Sequence, residues 1–95
     1  MITHIVCFKL KDRSEENAQK AKDVLMSMEG RISQLLHLEV GIDILHSDRS
    51  YDLVLYSKFD SMEDLDAYQV HPVHQEIVKY MKSVGDATVA VDFEA

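Results

Sequence analysis

The chain has 95 residues, enough for one domain with a modest core, so a dimer interface would add useful burial. Seventeen acidic residues against ten Lys and Arg give a formal charge of -7 with no basic run, which argues against a nucleic-acid or anionic-membrane partner. The single cysteine, Cys7, forbids an intrachain disulfide; with no signal-like start and no apolar run of membrane length, a cytoplasmic setting is expected.

Residues 2–11 are rich in β-branched and aromatic side chains on both alternation sets, Ile2, His4, Val6, Phe8 and Leu10 on one and Thr3, Ile5 and Cys7 on the other. This predicts a strand covered on both faces, with His4, Val6 and Phe8 toward the helices. Asp12 to Ser14 supplies a turn and cap, Glu15 and Glu16 suit the positive end of a helix, and Ala18, Ala21, Val24, Leu25 and Met28 recur at helical spacing until Gly30 stops it. Arg31 to His37 connects to a period-two strand over Leu38 to Ile44, with Leu38, Val40, Ile42 and Ile44 sharing a face. The polar turn His46 to Ser50 makes a hairpin with a strand over Tyr51 to Phe59, where Leu53, Leu55 and Phe59 face one way and Val54 and Tyr56 the other.

Ser61 to Asp64 reads as a capped helix start, followed by Met62, Leu65 and Tyr68 on one face. Pro72 breaks this helix, and a second helical face of Val73, Ile77, Val78 and Met81 runs to about Ser83 before Gly85. Ala87 to Phe93 alternates as a closing strand. The order β-α-β-β-α-β predicts an α+β, ferredoxin-like domain over 1–95: a four-stranded antiparallel sheet with helices on one face. The opening strand is apolar on its other face too, and a second copy of the same sheet is the economical cover.

Tyr68-Gln69-Val70-His71-Pro72-Val73-His74 concentrates a phenol, two imidazoles and the only proline in seven residues. Pro72 fits the first turn of a helix, and the kink before it brings Tyr68 and His74 to one side. A neutral imidazole with a pKa near 6.5 can take a proton at working pH, so His74 is a candidate general base and Tyr68 its hydrogen-bond-donating partner. The plainer reading is that the motif only fixes the helix break. His71 and His74, with His4 or Glu76, have poor spacing for zinc, so no metal is expected. Asp43, His46 and Asp48 sit in a hairpin loop and read as solvated, and the methionines at 26, 28, 62 and 81 read as core. No glycine-rich phosphate loop, Ser-His-Asp order or CxxC occurs, and no cofactor is expected.

On these residues the chain resembles the stress-responsive dimeric α/β barrel family. The likeness runs through His4-Ile5-Val6 and Phe8-Lys9-Leu10-Lys11, Val40-Gly41, Phe59, and above all Tyr68 with His71-Pro72-Val73-His74. It implies a homodimer whose sheets stack face to face, with a small-molecule pocket in each protomer between sheet and helices, bounded by His4, Val6, Phe8, Leu55, Tyr68, His71 and His74. Most members have no established activity, which implies a non-catalytic barrel with a stress-related role. The alternative is a cofactor-independent cyclase, isomerase or monooxygenase-like enzyme acting on a small carbonyl compound. One enzyme type of the family, olivetolic acid cyclase, is cofactor-free; its catalytic tyrosine and histidine match Tyr68 and His74, and its strand-one histidine matches His4. Where it carries an apolar wall on helix one, this chain has Lys22, Asp23 and Met26, a departure that speaks against its substrate.

Overall fold

The computed structural model describes residues 1–94; Ala95, the last residue of the expected domain, lies outside them. The elements are β1 (Ile2–Leu10), α1 (Glu15–Met26), β2 (His37–Ile42), β3 (Leu53–Phe59), α2 (Met62–Gln69), α3 (Pro72–Val84) and β4 (Gly85–Glu94). The strands form one antiparallel sheet in the order β2-β3-β1-β4, the ferredoxin-like arrangement expected, with the second helical segment divided in two at the proline.

The core lies between the helices and one sheet face. Phe8 and Leu10 of β1, Leu38 and Val40 of β2, and Leu53, Leu55 and Phe59 of β3 meet Ala21 and Leu25 of α1, Leu65 and Tyr68 of α2, and Ile77 and Met81 of α3. Period-two strands and period-3.6 helices each turn an apolar side to this layer, so two layers suffice to bury it. The opposite sheet face is open: Val54, Val89, Val91 and Phe93 are exposed there, beside half-buried Ile5 and Cys7. Among the described residues no helix is long and apolar enough to cross a membrane.

Four boundaries differ from the sequence expectation; the simplest is β3, which begins at Leu53 rather than Tyr51. α1 ends at Met26 with Ser27 as its C-cap, four residues before Gly30; Met28 is fully buried from the turn that follows, where Gly30 adopts a φ of 77°. β2 stops at Ile42 because the Asp43 carboxylate accepts the His46 backbone N–H at 2.7 Å and His46 takes a φ of 56°, turning the chain away. Ile44 therefore leaves the strand face and is 92% exposed. β4 begins at Gly85, directly after α3, since the junction is too tight for a side chain: a Cβ at Gly85 would stand 2.6 Å from the Met81 carbonyl oxygen.

Asp52, just ahead of β3, is buried and fully engaged. Its Oδ2 accepts the Leu10 N–H at 2.8 Å and its Oδ1 accepts Arg13 Nε–H at 2.9 Å, while its own N–H donates to Phe8 at 2.7 Å. Arg13 also donates to the Ser50 carbonyl at 2.9 Å, so one ion pair ties the end of β1 to the hairpin loop. Removing the cation leaves a buried carboxylate without its countercharge, and Arg13→Ala is expected to cost on the order of 3 kcal/mol. Urea unfolding of the variant against the parent measures this; an unchanged midpoint would show that the pair carries no such weight.

Candidate functional site

Tyr68 ends α2 and His74 opens α3, so the site is built across the break between them. The break is chemically specified. Pro72 occupies the first helical position, His71 is the N-cap, and the His71 ring nitrogen Nδ1 accepts the Val73 N–H at 3.1 Å. In an unbroken helix the Val73 N–H would have gone to the Gln69 carbonyl. That carbonyl is free instead, and it accepts His74 Nδ1–H at 3.1 Å and Gln75 Nε2–H at 2.9 Å. Neutral His74 thus carries its proton on Nδ1 and keeps the lone pair on Nε2.

The Tyr68 and His74 ring centroids are 4.3 Å apart, and Tyr68 also packs at 4.8 Å against the tilted Phe59 ring and meets the His4 ring edge-on at 6.0 Å. Tyr68 is 1% exposed, and its hydroxyl donates only to the Met28 thioether at 3.8 Å, a weak acceptor. Burial pushes its phenol well above the ordinary value of 10, so it stays a neutral donor. Burial is also the main influence on His74, lowering its pKa below 6.5; the Gln69 carbonyl opposes this, and repulsion from His4 and His71 adds to it.

A cavity of about 450 Å³ opens between α3 and the inner face of β1 and β4. Of the residues expected at the site, His4, Val6, Phe8, Leu55, Tyr68 and His74 line it together. His71 does not; its side chain is spent capping α3. On the α1 side the wall is Leu25 and Met28 rather than Lys22, Asp23 or Met26, so the lining there is apolar after all. Thr88 and Ala90, small residues on the inward set of β4, leave the space open. Asp92, which sequence reasoning passed over, follows on the same set; it pairs with His4 in the strand register and its carboxylate accepts His4 Nδ1–H. An acid on the inward side of an alternating strand was the available signal. Among the described residues no cluster of three or more His, Cys, Asp or Glu side chains is gathered to hold a metal.

The family profile described as Stress responsive A/B Barrel Domain matches residues 2–95. The chain belongs to that family. A stress-response A/B barrel domain-containing protein of Arabidopsis thaliana, DABB1, is 33% identical over 102 residues; the match covers all of this chain but only 47% of that relative. The barrel fold is also that of a dimeric ferredoxin-like protein of unknown function from Bacteroides fragilis, with a TM-score of 0.83, 28% identity, and coverage of 99% of this chain and 95% of that one. A hydroxynitrile lyase from Passiflora edulis shares the fold alone, at 18% identity and a TM-score of 0.82 over 97% of this chain and 90% of that one.

The lowered pKa of His74 makes a signed prediction. Between its folded-state pKa and 6.5 the unfolded chain binds more protons than the folded one, so stability rises with pH there. The contribution of neutral His74 is complete above about 6.5 and is lost as pH falls through the folded-state value. Histidine NMR should give a His74 midpoint below 6.5, and His74→Gln should flatten the stability profile in that window; a midpoint at or above 6.5 contradicts the burial argument.

Proposed function

We propose that this protein binds a small, largely apolar carbonyl compound in the cavity and moves a proton on it without metal or nucleotide. The observation that carries this reading is a pair of unspent groups in one largely apolar cavity: the Tyr68 hydroxyl, held only by a thioether, and His74 Nε2, with no partner among the described residues. A carbonyl oxygen is a far better acceptor for the phenol than sulfur is, and a neutral imidazole beside it can abstract the adjacent C–H proton. Members of this fold include a hydroxynitrile lyase and an antibiotic biosynthesis monooxygenase, which supports enzymatic use of the scaffold without identifying the reaction. A second reading, a binding barrel with a stress-related role and no turnover, is supported by the name of the Arabidopsis relative.

Nonan-2-one in D2O separates the two. The parent should bind it and speed exchange of its α-hydrogens; Tyr68→Phe should weaken binding roughly three- to tenfold, the worth of one hydrogen bond, and His74→Ala should abolish exchange. Binding without exchange returns the second reading, and neither binding nor exchange overturns both.

The same proposal includes a homodimer through the open sheet face. Support comes from Val91, 61% exposed beside Val89 and Phe93, and from the dimeric Bacteroides protein. Sedimentation at micromolar concentration should give a dimer and Val91→Asp a monomer; a monomeric parent would rule the contact out. A cytoplasmic setting belongs to this reading and suits the free thiol of Cys7.

A further inference from the structure

The proton transfer just proposed uses one imidazole, yet two face the cavity. His4 lies on β1, 5% exposed, with Nδ1 committed to the Asp92 carboxylate, so Nε2 is the nitrogen left for the cavity. His74 is held in the matching way, its Nδ1 on the Gln69 carbonyl and Nε2 open. Tyr68 contacts both rings, with centroids 6.0 Å and 4.3 Å away. The surroundings of the imidazoles differ in kind. A carboxylate faces His4 and supplies the countercharge for an imidazolium, whereas His74 faces only a neutral carbonyl.

We infer that His4 and His74 divide the proton traffic, with Asp92 as the residue that positions His4, and that the site is built to shift a proton between two carbons of an unsaturated ketone. The inference rests on the carbonyl reading above and adds the reaction class. His74 Nε2 takes the α-proton of a β,γ-unsaturated ketone, and the C–H electron pair moves into a dienolate whose oxygen accepts from Tyr68 O–H. The γ-carbon of the dienolate then takes the proton on Nε2 of the His4 imidazolium, re-forming the carbonyl with the double bond now conjugated to it. His74 ends protonated and His4 neutral, and exchange with solvent resets both. Substrate and product are isomers, so no oxidant or reductant enters.

Hex-4-en-2-one tests this, because α-hydrogen exchange in D2O reports the first transfer and the ultraviolet absorbance of hex-3-en-2-one reports the second. His74→Gln should remove both. His4→Gln and Asp92→Ala should depress isomerisation at least tenfold more than they depress exchange, and Asp92→Ala should shift the 15N resonances of the His4 ring, that of Nδ1 above all. Asp92 is partly exposed, so its variant separates positioning from folding even if His4→Gln unfolds. A parent that exchanges α-hydrogens while Asp92→Ala or His4→Gln leaves the ratio of the two rates unchanged overturns the division of labour and spares the carbonyl reading. A parent that neither exchanges nor isomerises overturns both.

Discussion

The carbonyl of Gln69 is the group on which the candidate site depends. A helix interior consumes every carbonyl, and only the break imposed by Pro72, sealed by His71 capping Val73, leaves this one without its usual donor. Left without its helical donor, this carbonyl accepts from the His74 ring, and that contact sets the tautomer, the ring orientation and the nitrogen offered to the cavity. The structural and functional readings of the His-Pro-x-His motif are therefore one mechanism. The cap that makes the break also orients the His74 ring.

The cavity itself follows from a mismatch between the two layers. α3 must run straight into β4, with no room at Gly85 for even a methyl group, so the start of the strand is pinned to the helix end. Away from that junction the inward side chains of β4 are Thr88 and Ala90, too small to reach α3, whereas β1 offers Val6 and Phe8 and β3 offers Leu55. The space is left under-filled on the side of the edge strand and is lined mainly by apolar side chains, together with Gln69, Lys82, Asp86 and Thr88. Burial lowers the pKa of His74 and raises that of Tyr68, which favours the neutral imidazole and the undissociated phenol.

The order of elements along the chain, the helix faces and the break at Pro72 were legible in the sequence because each rests on periodicity or on a residue with one stereochemical option. Leu53, Leu55 and Phe59 alternate inward as their spacing demands, and Tyr68 and His74 meet because the kink lies between them. What was hidden depends on long-range pairing. Asp92 acquires meaning only when β4 lies beside β1, 88 residues away in sequence, and Asp52 only when its carboxylate reaches the Leu10 N–H. Ile44 misled for a local reason: its alternation continued β2, but the Asp43 side chain competed for the backbone and won. His71 misled by proximity, its single acceptor nitrogen being already used by the cap.

β1 serves two surfaces at once, and its register decides which residues go where. His4, Val6 and Phe8 face the cavity while Ile5 and Cys7 face the open side of the sheet, with Thr3 buried on the same alternation set. A slip of one residue would exchange the sets, putting an imidazole on the apolar outer face and Ile5 in its place beside Tyr68. Apolar character alone resists this weakly, since each set mixes apolar residues with one polar side chain, His4 in one and Thr3 in the other. The restraint is polar and lies at the far end of the strand: Asp52 grips the Leu10 N–H with one oxygen and Arg13 with the other, next to the irregular pairing of Lys9 and Leu10 with β4. Hydrogen bonds to a buried carboxylate are directional and admit one register, unlike a run of interchangeable aliphatic contacts. An ion pair that touches neither imidazole thus fixes which way His4 points.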